Sequence, residues 1–399
     1  MTATGKTVVI LGAGFGGLTA AVELRDRLGA GHRVILIDRS STFRECAFNL
    51  SFMTGERSDP REVEGDLQRL AGGIEFVRDE VTRIDPTSRT VETSGQSWTA
   101  DYLVVALGAQ LVPEQIPGFS EAALNLYDPA AIPRLRSALE GLAGGRVAVL
   151  VSRTPFKCPA APYEAAFLIE AMLRRRGVRE RTEISLYTPE WAPMPVAGDA
   201  VGAELVRWLS ARRIGYYPDH MVLAIDPPGT LHFEVDDAAC DLLVGVPPHA
   251  APKVVELSGL TDATGWVPVD PHTLATRFPG VFAVGDLASV RLRNGMFLPM
   301  AGIFAVQEGF VVASNIAAEI RGEPSRIPYD GQGSCYVEVG EGLAAYGAGN
   351  FYAAPAPAVR LESPTAQFKA AKDEFADSLL GSLRDAPPPP VPRRTAGSR

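Results

Sequence analysis

The chain has 399 residues, 46% of them hydrophobic and 21% charged, enough for two or three domains with sizeable cores. Its 38 basic and 47 acidic residues leave a net charge of −9, which argues against a polyanionic partner, nucleic acid included. Four cysteines are too few for a disulfide scaffold, no secretory signal is expected ahead of the first strand, and no apolar run reaches the roughly 18 residues of a membrane span, so cytoplasm is the expected compartment.

In chain order, Thr7–Leu11 reads as an apolar strand, 16–28 as an amphipathic helix and Arg33–Asp38 as a second strand, the opening of a doubly wound α/β domain. Strands are expected near 74–77, 90–93 and 102–107. A second α/β unit is expected over 113–264, with a strand at 146–151, a helix from about Tyr163 ending in Arg174-Arg-Arg-Gly177, and a strand at 183–187. The first domain (1–112) resumes at 265–325 with Gly280-Val-Phe-Ala-Val-Gly-Asp286 and a long helix. A C-terminal α+β region at 326–385 holds strands near 334–339 and a final helix from about Pro364. The proline-rich stretch 386–399 reads as a disordered tail. No repeat of solenoid spacing is present.

Gly12-Ala-Gly14-Phe-Gly-Gly17 sits between strand and helix, and Asp38 ends the next strand. The glycines allow a tight turn and close approach of backbone to a pyrophosphate, while the acid accepts ribose hydroxyls. This pattern does not choose between NAD and FAD. Val284-Gly285-Asp286 does, because it resembles the second FAD motif of two-dinucleotide-domain flavoproteins, whose aspartate binds the ribityl chain. Tyr102-Leu-Val-Val-Ala-Leu-Gly108 resembles their intermediate element. The helix expected after Leu298-Pro299-Met300 would aim its N-terminus at the flavin and favour the anionic reduced form. The fold class is therefore α/β, two Rossmann-like domains of the FAD/NAD-linked reductase type, with FAD as cofactor.

The second unit breaks its own pattern. After Val147-Ala-Val-Leu-Val151, where a nicotinamide-binding unit has its glycine turn, the chain has Ser152-Arg-Thr-Pro-Phe-Lys-Cys158-Pro-Ala-Ala-Pro-Tyr-Glu164. A proline-braced loop carrying a thiol replaces the phosphate cradle, so electrons are expected from sulfur and not from NAD(P)H. That loop and Gly333-Ser-Cys335-Tyr-Val-Glu338, with the FAD motifs, resemble the sulfide:quinone oxidoreductase family and the flavoprotein subunit of flavocytochrome c sulfide dehydrogenase. The resemblance runs over roughly residues 6–350. It implies that Cys158 and Cys335 meet over the flavin as a redox disulfide, which hydrosulfide attacks to leave a persulfide, and that electrons pass to a quinone or a cytochrome-type carrier. A thiolate is the nucleophile in such exchange, and Lys157 and Arg153 would favour it if they point inward. Glu164 matches a family acid that would shuttle protons. The bland alternatives are two unconnected buried thiols and an ordinary first-turn helix acid.

Cys46, in Arg44-Glu-Cys-Ala-Phe-Asn-Leu-Ser-Phe-Met-Thr-Gly55-Glu-Arg57, lies where flavocytochrome relatives form a thioether to the flavin. A packed free thiol is the other reading, and Cys240 is expected to be structural. The sequence departs from the family in three places. No third cysteine stands near Tyr127. Met300 occupies the place of a lysine that many relatives direct at the flavin. The helix pattern Phe368, Phe375, Leu379, Leu383 lacks the aromatic, basic character of a membrane-docking helix, and suits packing on the protein's own core or peripheral contact with a membrane or partner. Five histidines without metal-ligand spacing imply no metal site, although His249 could approach the flavin pocket from its loop. The competing functions are a type II or ferredoxin-reductase-like NAD(P)H dehydrogenase, and a flavin-bound sulfur sensor without rapid turnover.

Overall fold

The computed structural model describes residues 5–70, 72–324, 327–381 and 383. Two five-stranded parallel sheets organise it. The first has the order Val281–Ala283, Tyr102–Val105, Thr7–Leu11, Arg33–Asp38, Ile74–Arg78. Its central strands are buried at Val8, Val9, Ile10 and Leu11 and at Val34, Ile35, Leu36 and Ile37, as near-continuous apolar runs covered on both faces must be. The strand at 281–283 joins a sheet whose other members all precede residue 106, because a return to the edge strand completes it.

The second sheet has the order Ala123–Asn125, Leu242–Val246, Gly145–Val151, Thr182–Tyr187, Ile214–Tyr217, again all parallel. A three-stranded antiparallel meander leads into Tyr102–Val105 of the first sheet (Val81–Asp85, Thr90–Thr93, Ser97–Thr99) and another into Leu242–Val246 of the second (Val222–Asp226, Thr230–Phe233, Asp237–Ala239). The two halves are thus built alike.

Helix Phe15–Leu28 packs on helix Gly302–Ile320, and Gly309 lets them approach: a Cβ there would lie 2.3 Å from the carbonyl oxygen of Gly16. Pro299 lies ahead of that helix rather than in its first turn; the cap residue is Ala301. Gly302–Ile320 is, among the described residues, the one helix long and apolar enough to cross a membrane, and 67% of its apolar window is buried in the fold.

A third, antiparallel sheet runs Gln332–Gly340, Leu343–Asn350, Ala358–Thr365. Its first strand lies against helix Ala161–Arg175, and its middle strand carries the final helix Ala366–Gly381. Phe368 stacks on Tyr346 with ring centroids 5.4 Å apart, while Leu380 and Leu383 are buried. Leu383 covers Gly65, where a Cβ would come within 2.5 Å of it. The helix therefore packs on the protein's own core. The tail 386–399 lies outside the described residues.

Candidate functional site

The first sheet positions a dinucleotide cradle at the C-terminal ends of its strands. Gly12 has φ +94°, and a Cβ on it would stand 2.3 Å from the Ala106 carbonyl oxygen. At Gly17 a Cβ would fall 1.9 Å from the Gly12 carbonyl oxygen, whereas nothing lies within 4 Å of one at Gly14. The turn is closed on the protein side and open where a pyrophosphate would approach. Asp38 accepts the Ala13 N–H at 2.7 Å and the Ser40 N–H at 2.7 Å, which fixes its carboxylate beside the turn. Gly108 has φ +66° and Gly285 φ +73°. Asp286 follows in a recess where burial raises its carboxyl above the usual range, partly offset by the Lys157 ammonium. An acid in such a place suits hydroxyl groups of a bound polyol.

The thiol loop meets this cradle at Met300. Cys158 adopts φ +51°, and its N–H donates to the Met300 carbonyl oxygen at 2.6 Å. Its own carbonyl accepts from the Ala161 N–H at 2.9 Å and from the Tyr127 hydroxyl at 3.2 Å. Met300 is half-buried and packs with the cluster that includes Leu107, Ala109, Leu287 and Ala288. Met300 thus ties the thiol loop to the segment ahead of helix Gly302–Ile320 through its backbone carbonyl.

Cys335 comes from strand Gln332–Gly340, opposite Gly347. Both half-buried cysteines pack against one apolar cluster, together with Tyr163 and Phe167 of helix Ala161–Arg175. Burial pushes the Cys335 thiol up to about 12, and Glu164 adds to the rise. The Cys158 thiol is also raised, by burial first, then by Glu164 and by Cys335 itself. The fold brings together two thiols 177 positions apart. Both are free in this structure, as are Cys46 and Cys240, so the expected disulfide is not formed in it.

Glu164 is not a solvent-facing first-turn acid. It is 2% exposed, accepts the Glu338 N–H at 2.8 Å, and takes a 2.7 Å hydrogen bond from the Lys372 ammonium. Lys372 also lies 2.9 Å from the Glu338 carboxylate. Lys372 is the cation that lowers both thiols, and sequence reasoning missed it.

The basic residues expected to do so lie elsewhere. The Arg153 guanidinium turns away and donates to the Ser152 and Val222 carbonyl oxygens at 2.6 and 2.7 Å. Lys157 sits over the Tyr127 ring at 5.7 Å, and its charge offsets the burial-driven rise at Cys46 and Asp286. Burial also depresses His249 to about 4, with Lys157 adding to the effect. His249 keeps its Nδ1 2.9 Å from the Pro247 carbonyl oxygen.

Cys46 is solvent-accessible, not a packed core thiol, although protein atoms crowd its recess enough for burial to raise it. The sequence also gave no sign of Glu308, which is 3% exposed, accepts the Gly285 N–H at 2.6 Å and is raised by burial to about 8. Cys240 is buried beneath the Gly229 carbonyl, in keeping with a structural role. Among the described residues no group of histidines, cysteines and acids could hold a metal ion.

Beyond strand Thr182–Tyr187, Glu190 turns inward. Its carboxylate accepts the Tyr163 hydroxyl at 2.9 Å and the Thr188 hydroxyl at 3.2 Å. The acid following the second strand of this unit is therefore occupied by the thiol-loop helix, and the loop 152–160 contains no glycine.

Residues 6–309 match the family described as pyridine nucleotide-disulphide oxidoreductase. The mitochondrial sulfide:quinone oxidoreductase of Mus musculus is 27% identical over 354 residues, 84% of this chain and 75% of that protein. An alternative NAD(P)H-ubiquinone oxidoreductase C1 of Arabidopsis thaliana is 27% identical over 366 residues, 79% of this chain and 68% of that one. Among solved structures, the sulfide:quinone oxidoreductase of Aquifex aeolicus superposes with a TM-score of 0.86 at 23% identity, covering 96% of this chain and 93% of that chain.

Proposed function

The chain belongs to the pyridine nucleotide-disulphide oxidoreductase family and is an FAD-dependent oxidoreductase like the sulfide:quinone oxidoreductases; we propose that it oxidises hydrosulfide, or a small persulfide or thiol, through Cys158 and Cys335. The carrying observation is that Cys158, hydrogen-bonded to Met300 in the flavin segment, shares one apolar patch and one acid, Glu164, with Cys335.

In the oxidised enzyme the two cysteines form a disulfide. Hydrosulfide attacks one sulfur, the Cys158–Cys335 bond breaks, a new sulfur–sulfur bond forms, and the other cysteine leaves as a thiolate. Once the persulfide has lost its proton, its outer sulfur closes on that thiolate as a trisulfide between Cys158 and Cys335, which releases two electrons, and bound FAD would supply the acceptor for them. The persulfide's proton passes to Glu164. The electrons leave for a quinone or a one-electron carrier. The quinone is supported by the names of the relatives, and it implies peripheral contact with a membrane surface. Cys46, accessible in the recess that Lys157 also influences, is the residue that would attach the flavin covalently.

The Arabidopsis relative keeps an NAD(P)H-oxidising reading in view, and the inward turn of Glu190 and the glycine-free loop argue against it. Steady-state reduction of a soluble short-chain quinone by the holoprotein, with sulfide or with NADH as donor, separates the two. Sulfide-driven turnover, with NADH inert, supports the proposal. Turnover driven by NADH alone refutes it.

A further inference from the structure

Lys372 occupies a position that helical spacing marks as apolar. It lies one turn beyond Phe368 in the stripe that continues to Phe375 and Leu383, and it is 8% exposed. Its ammonium is shared by Glu164 and Glu338, which are 2% and 3% exposed, at 2.7 and 2.9 Å. Two buried carboxylates therefore divide one buried cation: burial raises Glu164 above the usual carboxylate range, the Lys372 charge opposes that rise, and the Glu338 charge adds to it. Toward the surface, the Lys369 ammonium stands 4.0 Å from the Glu338 carboxylate and 2.8 Å from Asp373. Other charged groups face the array as well. Glu45, 2% exposed, feels the Lys372 charge, and Glu56 faces Glu338, Lys369 and Asp373.

A buried ion pair is a poor way to add stability, since well-packed apolar side chains of similar volume do as well or better. Here the array stands between the third sheet, the thiol-loop helix and the final helix, beside both thiols. We propose that Lys372 is a positioning residue that keeps Glu164 ionised next to Cys158 and Cys335, so that Glu164 can take the proton of the incoming sulfur nucleophile. This inference rests on the sulfur-oxidising reading.

The proton balance closes without any further reagent. The persulfide loses its proton to Glu164, which becomes neutral. Lys372 hands a proton to Glu338 and regains one from Glu164, and Glu338 releases it past Lys369 and Asp373. The final helix thereby carries part of the active site, and its docking sets the charge at the thiols.

Infrared titration of the holoprotein tests this without sulfide. The C=O stretch of protonated Glu164 is identified by its loss in Glu164→Gln. In Lys372→Met its midpoint is expected to rise by about 1–3 pH units, the effect of removing an opposite charge at this range. Lys372→Arg should restore the wild-type midpoint. Glu338→Gln should lower it, because a like charge has gone. The same Lys372→Met protein should reduce its flavin with sulfide more slowly near neutral pH, by at most about 10–10³-fold, tenfold for each pH unit of that rise, and recover as pH rises.

A Lys372→Met midpoint equal to that of wild type in a folded protein overturns the inference. If that variant does not fold, a Glu338→Gln midpoint that fails to fall does so. Midpoints that shift as stated in a protein that sulfide never reduces refute the sulfur chemistry instead, and leave the control of Glu164 by Lys372 standing.

Discussion

Gly309→Ala offers a quantitative test of how the cradle is built. The added methyl carbon would meet the Gly16 carbonyl oxygen at 2.3 Å, about 1.1 Å inside the 3.4 Å at which ordinary contact begins. The obstacle is backbone, so no rotamer change relieves it, and the two helices must separate. Alanine gains about 1 kcal/mol of helix propensity over glycine, while overpacking costs about 1–3 kcal/mol. The close backbone approach favours the upper end of that cost, so the substitution is expected to destabilise. Gly16 lies in the first turn of the helix that follows Gly12–Gly14, so separation would also disturb a pyrophosphate held at that turn. FAD affinity is expected to fall about tenfold or more, tenfold being 1.4 kcal/mol. The assay is fluorescence titration of apoprotein with FAD in a Cys46→Ser background, which leaves the flavin exchangeable, alongside urea unfolding. Gly141→Ala serves as control, since nothing lies within 4 Å of a Cβ at that helix end. A Gly309→Ala protein with unchanged FAD affinity and unfolding midpoint would refute the argument that helix contact sets the turn.

Burial raises Glu308 from 4.5 to about 8, so the folded state holds its proton over a range in which the unfolded chain has lost it. Its contribution to stability is complete below about pH 4.5 and is lost as pH rises toward 8, with a slope of about 1.4 kcal/mol per pH unit. Glu308→Gln keeps an acceptor for the Gly285 N–H, so urea unfolding of the FAD-saturated proteins should show a flatter pH dependence in the variant; parallel curves would contradict the assignment. Cys46 attachment predicts that flavin stays with acid-precipitated wild-type protein and leaves with the supernatant in Cys46→Ser. Complete release from wild type would make Cys46 a free thiol.

Strand–turn–helix order and the dinucleotide glycines were legible because both follow from local rules, namely apolar runs and the backbone freedom that Gly12 needs at φ +94°. The two cysteine motifs were legible only through resemblance, since nothing local says that residues 158 and 335 pack together. Direction was the harder property. Arg153 and Lys157 flank the same loop, yet one reaches the Val222 carbonyl and the other the Tyr127 ring. Neither orientation follows from sequence spacing, because each is set by distant partners.

Buried charge was harder still. Glu308 looks like a helix-surface acid until the Gly285 N–H is found beneath it. Lys372 did carry a signal. The apolar stripe from Phe368 to Leu383 has its missing i+4 member at that position, and a lysine on a face that packs inward requires a buried partner. The second Rossmann-like unit was legible, but the matching meanders of the two halves were not, because that likeness lies in topology and not in repeated residues.

Anaerobic titration of the FAD-loaded protein with sulfide tests the central claim most directly. The account predicts bleaching of the flavin band in wild type, with a long-wavelength charge-transfer band that is lost in Cys335→Ser, and no response to NADH in a parallel cuvette. A spectrum unchanged by sulfide but bleached by NADH would contradict it, and would mean that the loop around Cys158 serves a nicotinamide after all.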